Sequence, residues 1–510
     1  MKFTIASATL VLVAGTVACG GEGTKDVPSV SSDQQPLLIA TSVLWPTNTI
    51  PVCWNPTTTP NREAQKALVR RYAEQSWSRA TGVKFVGWGT CNAQTDYANT
   101  LSIQGRPASA DSENRAGRAS TGHGSSNWMG VDLDSTQLHA VVVHEFGHTL
   151  GFYHEQEDSA TPLSCTAAGA RDMPADAVAA GYYDQLSIMN YCNNFWSLGG
   201  LSRLDIIGAR RYYGAGQYNV SGVDSVFADI TGDGRADALV VNNDAVYVMP
   251  STGAGFTGFR AATSVPFYGG MGTYFADVNG DGRADGIAVN YEGIGVMTSN
   301  GTNLTNFAYW SDDALIGGRG MFFADVNGDG GADAIAVRDD AVYVKLSTGL
   351  SFGPTQQWTS VPFYGERETF FADVNGDHKA DGIVIDDSGI GVMLSTGSGF
   401  GSYTWWTTAP FYGSKATAIA DVNGDGKADA IAVNGDNTYV MTSTGSAFTN
   451  YHAAGGAAFY GTRGTYFADY TGDGTADGIA VSGVLWGQSS YGYGFNYPSQ
   501  VSSVSFYPIN

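Results

Sequence analysis

Apolar positions along this chain follow two regimes that meet near residue 220. In the first, strand-like and helix-like spacings alternate. Residues 49–54 (TIPVCW) have the in-out pattern of a strand. Over residues 61–80, Ala64, Leu68, Tyr72, Ala73 and Trp77 form one helical stripe, which Gly82 ends. Residues 83–88 (VKFVGW), 100–104 (TLSIQ) and 129–133 read as further strands. A second helix starts near Ser135 or Thr136 and runs through VVVHEFGHTL. The pattern predicts a mixed α/β (α+β) domain over residues 40–214, followed by a linker at 215–222.

In the second regime, one pattern repeats. FADITGDGRAD recurs as YFADVNGDGRAD, FFADVNGDGGAD, FFADVNGDHKAD, AIADVNGDGKAD and YFADYTGDGTAD. The leading aspartates are Asp229, Asp277, Asp325, Asp373, Asp421 and Asp469, each 48 residues after the last. A constant period means one supersecondary unit per repeat. Each period holds several short strand-like runs between Gly-rich turns and almost no helix signal. Residues 223–510 are therefore expected to form an all-β propeller of six blades with about four strands each. Odd periods read ADAxxVxxxxxYV, and the second and fourth read ADGIxxxxxGIGVM, which makes the ring three copies of a two-blade unit.

Charge and cysteines refine the setting. The net charge of −22 excludes nucleic acid and anionic membrane surfaces as partners. Residues 1–19 (MKFTIASATLVLVAGTVAC) are one lysine followed by a short apolar run, an export signal outside the fold. Two cleavages fit it, a lipoprotein type that leaves Cys19 lipidated, or an ordinary one near Ala18. Residues 20–39 are a Gly/Ser/Pro-rich tether. The expected location is secreted or at the cell surface of a bacterium, with membrane contact only through an N-terminal lipid. Beyond Cys19, four of the five cysteines remain and allow three pairings. Cys53–Cys91 and Cys165–Cys192 are favoured, because each closes a local loop.

The candidate chemistry sits in the second helix. In HEFGHTLGFYH, His144 and His148 are four apart and share a helix face, so both can bind one ion. Glu145, one step round, can reach a water on that ion. Gly151 permits a sharp turn that returns His154 as a third ligand. Three ligands leave a fourth position open, as in catalytic rather than structural zinc sites. His123 and His139 lie outside the motif, in a loop and on the helix.

This stretch resembles the metzincin metalloproteases, whose H-E-x-x-H-x-x-G-x-x-H pattern is met at every fixed position. YYDQLSIMNYC supplies their methionine turn at Met189, and Tyr191 matches the tyrosine near zinc in astacin-like members. Gly151-Phe152, His154-Glu155 and LSRLDIIGARRYYG add to the likeness, while QEDSATP departs from astacins after Glu155. The resemblance implies one catalytic Zn2+, Glu145 as general base and acid, and Tyr191 as oxyanion donor. Protein or peptide would be the substrate.

The repeated loops D-x-[NT]-G-D-G-x-A-D place hard oxygens at positions one, three, five and nine, with a carbonyl at seven, which suits Ca2+. The candidate ligands are Asp229, Thr231, Asp233, Arg235 and Asp237 in the first loop, and Asp277, Asn279, Asp281, Arg283 and Asp285 in the second. The third and fourth offer Asp325, Asn327, Asp329, Gly331 and Asp333, then Asp373, Asn375, Asp377, Lys379 and Asp381. The last two offer Asp421, Asn423, Asp425, Lys427 and Asp429, then Asp469, Thr471, Asp473, Thr475 and Asp477. The loops resemble those of FG-GAP or VCBS propellers, which implies up to six structural calcium ions. His378 replaces glycine in loop four and is expected to weaken it.

The pairs Phe267-Tyr268, Phe363-Tyr364, Phe411-Tyr412 and Phe459-Tyr460 recur with the blades. Core packing between blades is favoured for them over stacking on sugars. Two functions remain on these residues. One is a zinc endopeptidase with the propeller as its binding module. The other is a carbohydrate- or matrix-binding propeller protein in which proteolysis is secondary or lost.

Overall fold

The computed structural model describes residues 38–105, 117–119, 124, 126–157, 165, 177–178, 184–193, 196–214, 226–242, 244–290, 292–313, 315–504 and 506. The signal, Cys19, the tether up to Pro36-Leu37, the linker at 215–222 and His123 lie outside the described residues.

In the first domain a five-stranded sheet carries the helices. Its strands are β2 (Thr49–Trp54), β3 (Lys84–Thr90), β4 (Leu101–Gly105), β5 (Gly117–Ala119) and β6 (Asn127–Val131), in the order β3-β2-β4-β6-β5. All neighbours are parallel except β5, which pairs antiparallel with β6. A small ladder joins β1 (Ile39–Ala40) to β7 (Ala177–Val178). Helix α1 spans Glu63–Ala73, α2 Leu138–Thr149 and α3 Arg203–Tyr213. The second helix thus starts later than its sequence suggests. Ser135 first closes a turn onto the Asp132 carbonyl, and its Oγ accepts from Gln137 N.

Every residue of α2 is buried, so it is a core helix rather than an amphipathic one. Trp77 donates Nε1 to the Val143 carbonyl at 2.7 Å and stacks on Phe152, while Phe146 meets Phe85 edge to face. The buried stripe of the first helical segment is Val69, Tyr72, Ala73 and Trp77, with a π turn over Glu74–Ser78. Ala64 is exposed because the first turn of α1 stands in solvent. Both favoured disulfides, Cys53–Cys91 and Cys165–Cys192, are present.

The second domain has six four-stranded antiparallel sheets, each built from consecutive strands. In blade one these are Val226–Ala228, Asp237–Val241, Val246–Met249 and Arg260–Ala261. The acidic loop joins the first strand to the second in every blade. The two-blade unit is visible in the outer strands. These have two residues in blades one, three and five, but run over Leu304–Ser311 and Thr404–Thr407 in blades two and four. There Gly295 and Gly391 leave room for the rings of Phe307 and Tyr403 to lie on the neighbouring strand. Blade six, with Ser499–Gln500, keeps the short form.

The acidic loops also latch the blades together. Position nine is fully buried, and in blade two Asp285 accepts Ser299 N at 2.7 Å and Val278 N at 3.3 Å. Ser299 Oγ then donates to the Ile230 carbonyl of blade one at 2.6 Å. The same serine latch closes the ring from Ser251 to Tyr470 of blade six, at 2.6 Å. As expected, the repeated phenylalanines are core: Phe267, Phe363, Phe411 and Phe459 are buried. Their tyrosine neighbours also take cations, with Arg203 over buried Tyr268, Arg319 over Tyr364, Arg367 over Tyr412 and Lys415 over Tyr460.

Two of those cations bind the domains to each other. Arg203, on α3, reaches across to Tyr268, and its backbone N–H donates to the Gly270 carbonyl at 2.8 Å. Arg319 lies between Tyr72 and Tyr364, 4.4 and 4.3 Å from the ring centres, and its Nε reaches Asp339 at 2.6 Å. Asp339 also faces His139 Nδ1 on α2 at 3.5 Å. Arg71, Gln75 and Arg79, the polar face of the first helical segment, engage Glu366, the Gly365 carbonyl and Glu368. That face therefore meets the propeller instead of water.

Candidate active site

α2 presents two imidazoles from a core position, where an unpaired polar group costs free energy. The structure pairs each ring's inner nitrogen with a carbonyl: His144 Nδ1 with Ile188 O at 2.7 Å, and His148 Nδ1 with Phe152 O at 2.8 Å. These bonds make Nδ1 the protonated nitrogen and leave the Nε2 lone pairs pointing outward. Gly151, at φ +99°, turns the chain out of the helix and brings His154 back. Nε2 of His154 then lies 3.0 Å from that of His148 and 3.3 Å from that of His144.

Among the described residues, His144, His148 and His154 are the one group of three or more His, Cys, Asp or Glu whose ligand atoms lie within 4.8 Å of one another. Two of the three converging nitrogens are lone-pair acceptors by their Nδ1 bonds, so they repel unless a cation or proton sits between them. The set fits a tetrahedral zinc ion with an open fourth position.

Around this centre the predicted partners are gathered. Glu145 is buried beside the two α2 histidines. The Tyr191 ring stacks on His144 at 5.0 Å and packs against His154 at 4.5 Å. Met189 is fully buried beneath, against Gly147, where any Cβ would run into its Sδ. Glycine at that helical position is thus a packing requirement of the methionine turn.

The sequence reading missed what holds this turn. Asp205, in the first turn of α3, accepts Ile188 N at 2.9 Å and Ser187 Oγ at 2.6 Å. Ser187 Oγ in turn accepts Met189 N. Asp205 also closes a capping box with Ser202. Asp184 accepts Leu186 N at 2.9 Å and Ser202 Oγ at 2.6 Å. Burial raises both carboxyls, and burial together with the charge of Asp205 pushes Asp184 up to about 7. A signal was available, since S-x-x-D at 202–205 opens an apolar helix.

The calcium candidates are arranged differently. Position-one carboxylates turn onto their own loop, as Asp277 accepts Gly280 N and Gly282 N, both at 2.7 Å. Position-five carboxylates pair with position-seven cations in four loops, at Arg235, Arg283, Lys379 and Lys427. Position seven carries Gly331 in loop three and Thr475 in loop six, whose hydroxyl donates to Asp473. Asn279, Asn327, Asn375 and Asn423 accept the position-five N–H, while Thr231 and Thr471 hydroxyls donate to position one. Burial and the neighbouring carboxylates push position nine up, to about 6 at Asp237 and Asp477 and about 7 at Asp285, Asp333, Asp381 and Asp429. His378 takes the left-handed conformation at φ +64°.

With this geometry in place, the chain can be set beside known proteins. Residues 38–160 match the astacin peptidase family, and residues 229–288, 373–432 and 421–479 match the FG-GAP-like repeat. No curated protein matches the chain. One similar solved structure is an Agrocybe aegerita lectin described as recognising non-reducing terminal N-acetylglucosamine. It is 23% identical over 57% of this chain and 82% of its own, with a TM-score of 0.42. Myroilysin is 20% identical over 34% of this chain and 98% of its own, with a TM-score of 0.24. High choriolytic enzyme 1, a hatching enzyme zinc-protease from Oryzias latipes (medaka fish), is 18% identical over 34% of this chain and 96% of its own, with a TM-score of 0.23. The chain carries an astacin-family domain, a zinc metalloendopeptidase of the metzincin type, joined to a six-bladed propeller of FG-GAP-like repeats.

Proposed function

We propose that this protein is exported and hydrolyses peptide bonds outside the cell, with the propeller holding it to its target. The observation that carries the reading is the convergence of three histidine Nε2 atoms, two of them fixed as acceptors, beside a buried glutamate. Zinc, when bound to His144, His148 and His154, supplies Lewis acidity to a water and to the substrate carbonyl. Glu145 takes the proton of the attacking water and delivers it to the leaving nitrogen. Tyr191 donates to the oxyanion of the tetrahedral intermediate. Met189 supports the histidines from below, and Asp205 holds Met189.

Calcium is proposed as the structural ion of the propeller loops. Three aspartates gathered in each loop support it, because a cation relieves the repulsion between neighbouring carboxylates. In four of the loops its binding requires the position-five aspartate to leave its Arg or Lys partner. Lipid at Cys19 would tether the protein to the surface. A glycan or matrix ligand for the propeller would hold the exported protease at its target.

The test compares casein cleavage by the intact protein and by Glu145→Gln, each loaded with zinc. Activity in the wild type alone is the expected result. Equal activity in both removes Glu145 from the mechanism, and inactivity of a zinc-loaded wild type overturns the protease reading.

A further inference from the structure

The repeated tyrosines of the propeller follow a rule with one exception. Three of them take a cation from the loop of the repeat before: Tyr364 from Arg319, Tyr412 from Arg367 and Tyr460 from Lys415. The position that would serve Tyr268 in this way holds Val223. The cation over its ring is instead Arg203 of the peptidase domain, at 4.6 Å. The loop at 268–271 is also uncharged, with Met271 where its sisters have Arg319, Arg367, Lys415 and Arg463. At this one place the peptidase domain supplies what the repeat lacks.

Arg203 depends on that ring in turn. It is 4% exposed, and among the described residues its Nε and Nη1 find no hydrogen-bond acceptor. A buried guanidinium without a carboxylate persists only where something else answers its charge, and the face of Tyr268 does so. The start of α3 is therefore held in place from the propeller side.

From the same loop, two paths lead to one residue of the methionine turn. The Gly270 carbonyl accepts the backbone N–H of Arg203 at 2.8 Å, and two residues on, Asp205 accepts Ile188 N at 2.9 Å. Gly270 also lies against buried Leu186, because a Cβ at 270 would come within 2.6 Å of Leu186 Cδ1. Leu186 stands two residues before Ile188. The Ile188 carbonyl is the acceptor that fixes Nδ1 of His144, at 2.7 Å. Both backbone groups of Ile188 are thus tied, and both ties run back to the propeller.

The turn itself does not demand glycine at 270. Sister loops have Glu366, Ser414 and Thr462 there. Ser414 N bonds to Asn434 Oδ1 and Thr462 N to Ser482 Oγ, as Gly270 N bonds to Asn290 Oδ1 at 2.8 Å. The backbone is the same, so it is Leu186 that excludes a side chain.

We propose that Tyr268 and Gly270 are positioning residues of the zinc centre, which makes the docked propeller part of the catalytic unit. They act through Arg203 and Leu186 on Ile188, and so on the orientation of His144. The proposal rests on the reading of the first domain as a zinc peptidase.

The experiment uses the full-length protein with two substitutions that sister loops already accommodate. These are Gly270→Thr, matching position 462, and Tyr268→Ile, matching position 316. The control is Gly258→Thr, at an exposed glycine where an added Cβ meets nothing within 4 Å. Each protein is assayed on casein with zinc, and its visible absorption is recorded with cobalt in place of zinc, which reports the geometry of the three histidines. Both variants should bind one cobalt ion per chain with shifted bands, and the control should match the wild type. In both, kcat should fall about ten- to a hundredfold with KM nearly unchanged, because a ligand moves and the substrate cleft does not. Adding Leu186→Ala to Gly270→Thr makes room for the new side chain and should raise kcat again. Unshifted cobalt bands in either variant overturn the proposal, whatever happens to kcat. So does a loss in Gly270→Thr that Leu186→Ala leaves unrelieved, since it does not pass through Leu186. A variant that binds no cobalt has lost the domain, and its residue is then structural. If the zinc-loaded wild type is inactive, the peptidase reading fails, while the cobalt bands still decide this proposal.

Discussion

Removing the Arg319 side chain should uncouple the two domains. Its guanidinium is sandwiched by Tyr72 of the peptidase domain and Tyr364 of the propeller, and it bonds to Asp339 at 2.6 Å and Gln75 Oε1 at 3.1 Å. With 3% of the side chain exposed, little of this is screened by salt. Each cation–π contact contributes about 0.5–2 kcal/mol. The charge-assisted bond to Gln75 adds about 1.5–3 kcal/mol, whereas the bond to Asp339, whose side chain is 47% exposed, stays within the propeller. Only the Tyr72 face and the Gln75 bond cross the domain boundary, and non-additivity reduces their sum, so Arg319→Ala should cost about 2–3 kcal/mol of coupling. Asp339 suffers next. Burial by itself would raise its carboxyl, but His139 and Arg319 outweigh that and hold it at about 2. Without Arg319, it keeps only the histidine. Calorimetry is the direct assay. The wild type should unfold in one cooperative transition and Arg319→Ala in two, with the peptidase transition the lower. An unchanged single transition in the variant would refute the reasoning, since the sandwich would then carry no coupling energy.

Four further outcomes follow from the same geometry. Asp205→Asn should lower stability by about 1–3 kcal/mol and reduce kcat, because one oxygen cannot serve the donors of the methionine turn. Asp184→Asn should be milder, as that carboxyl is already raised to about 7, so equal losses in melting and cleavage assays would contradict the assignment. His378→Gly should stabilise the propeller by about 0.5–1 kcal/mol, because glycine carries no penalty in the left-handed region; denaturant melts would show a lower midpoint if this is wrong. In chelator, the propeller should melt higher at pH 5 than at pH 8. The folded carboxyls at Asp285, Asp333, Asp381 and Asp429 are raised to about 7, above their unfolded values, so the stability they contribute is present at low pH and lost as pH rises through about 7. Calcium should restore more stability at pH 8 than at pH 5, and a melting temperature that rises with pH in chelator would contradict this.

Much of the molecule was legible in the chain because its information is local or periodic. His144, Glu145, His148, Gly151 and His154 lie within eleven residues, so one helix and one turn assemble them. The six acidic loops recur every 48 residues, and a repeat of that length with alternating short strands allows few architectures. Both disulfides close short stretches of chain. Met189 and Tyr191 were recognisable only through resemblance, since nothing local ties them to a helix about 40 residues away.

Other features depend on which surfaces meet, and a pattern of apolar residues says only that a surface is buried or not. The face formed by Arg71, Gln75 and Arg79 reads as solvated, and only the docked propeller makes it an interface. Asp205 reads as a helix cap, yet the fold adds the methionine turn to its donors. The sequence by itself determined the elements, the repeat and the three-histidine cluster, because short-range geometry decides them. The domain interface and the support of the methionine turn were decided by tertiary structure, because they rest on contacts between segments whose spacing carries no periodic signal.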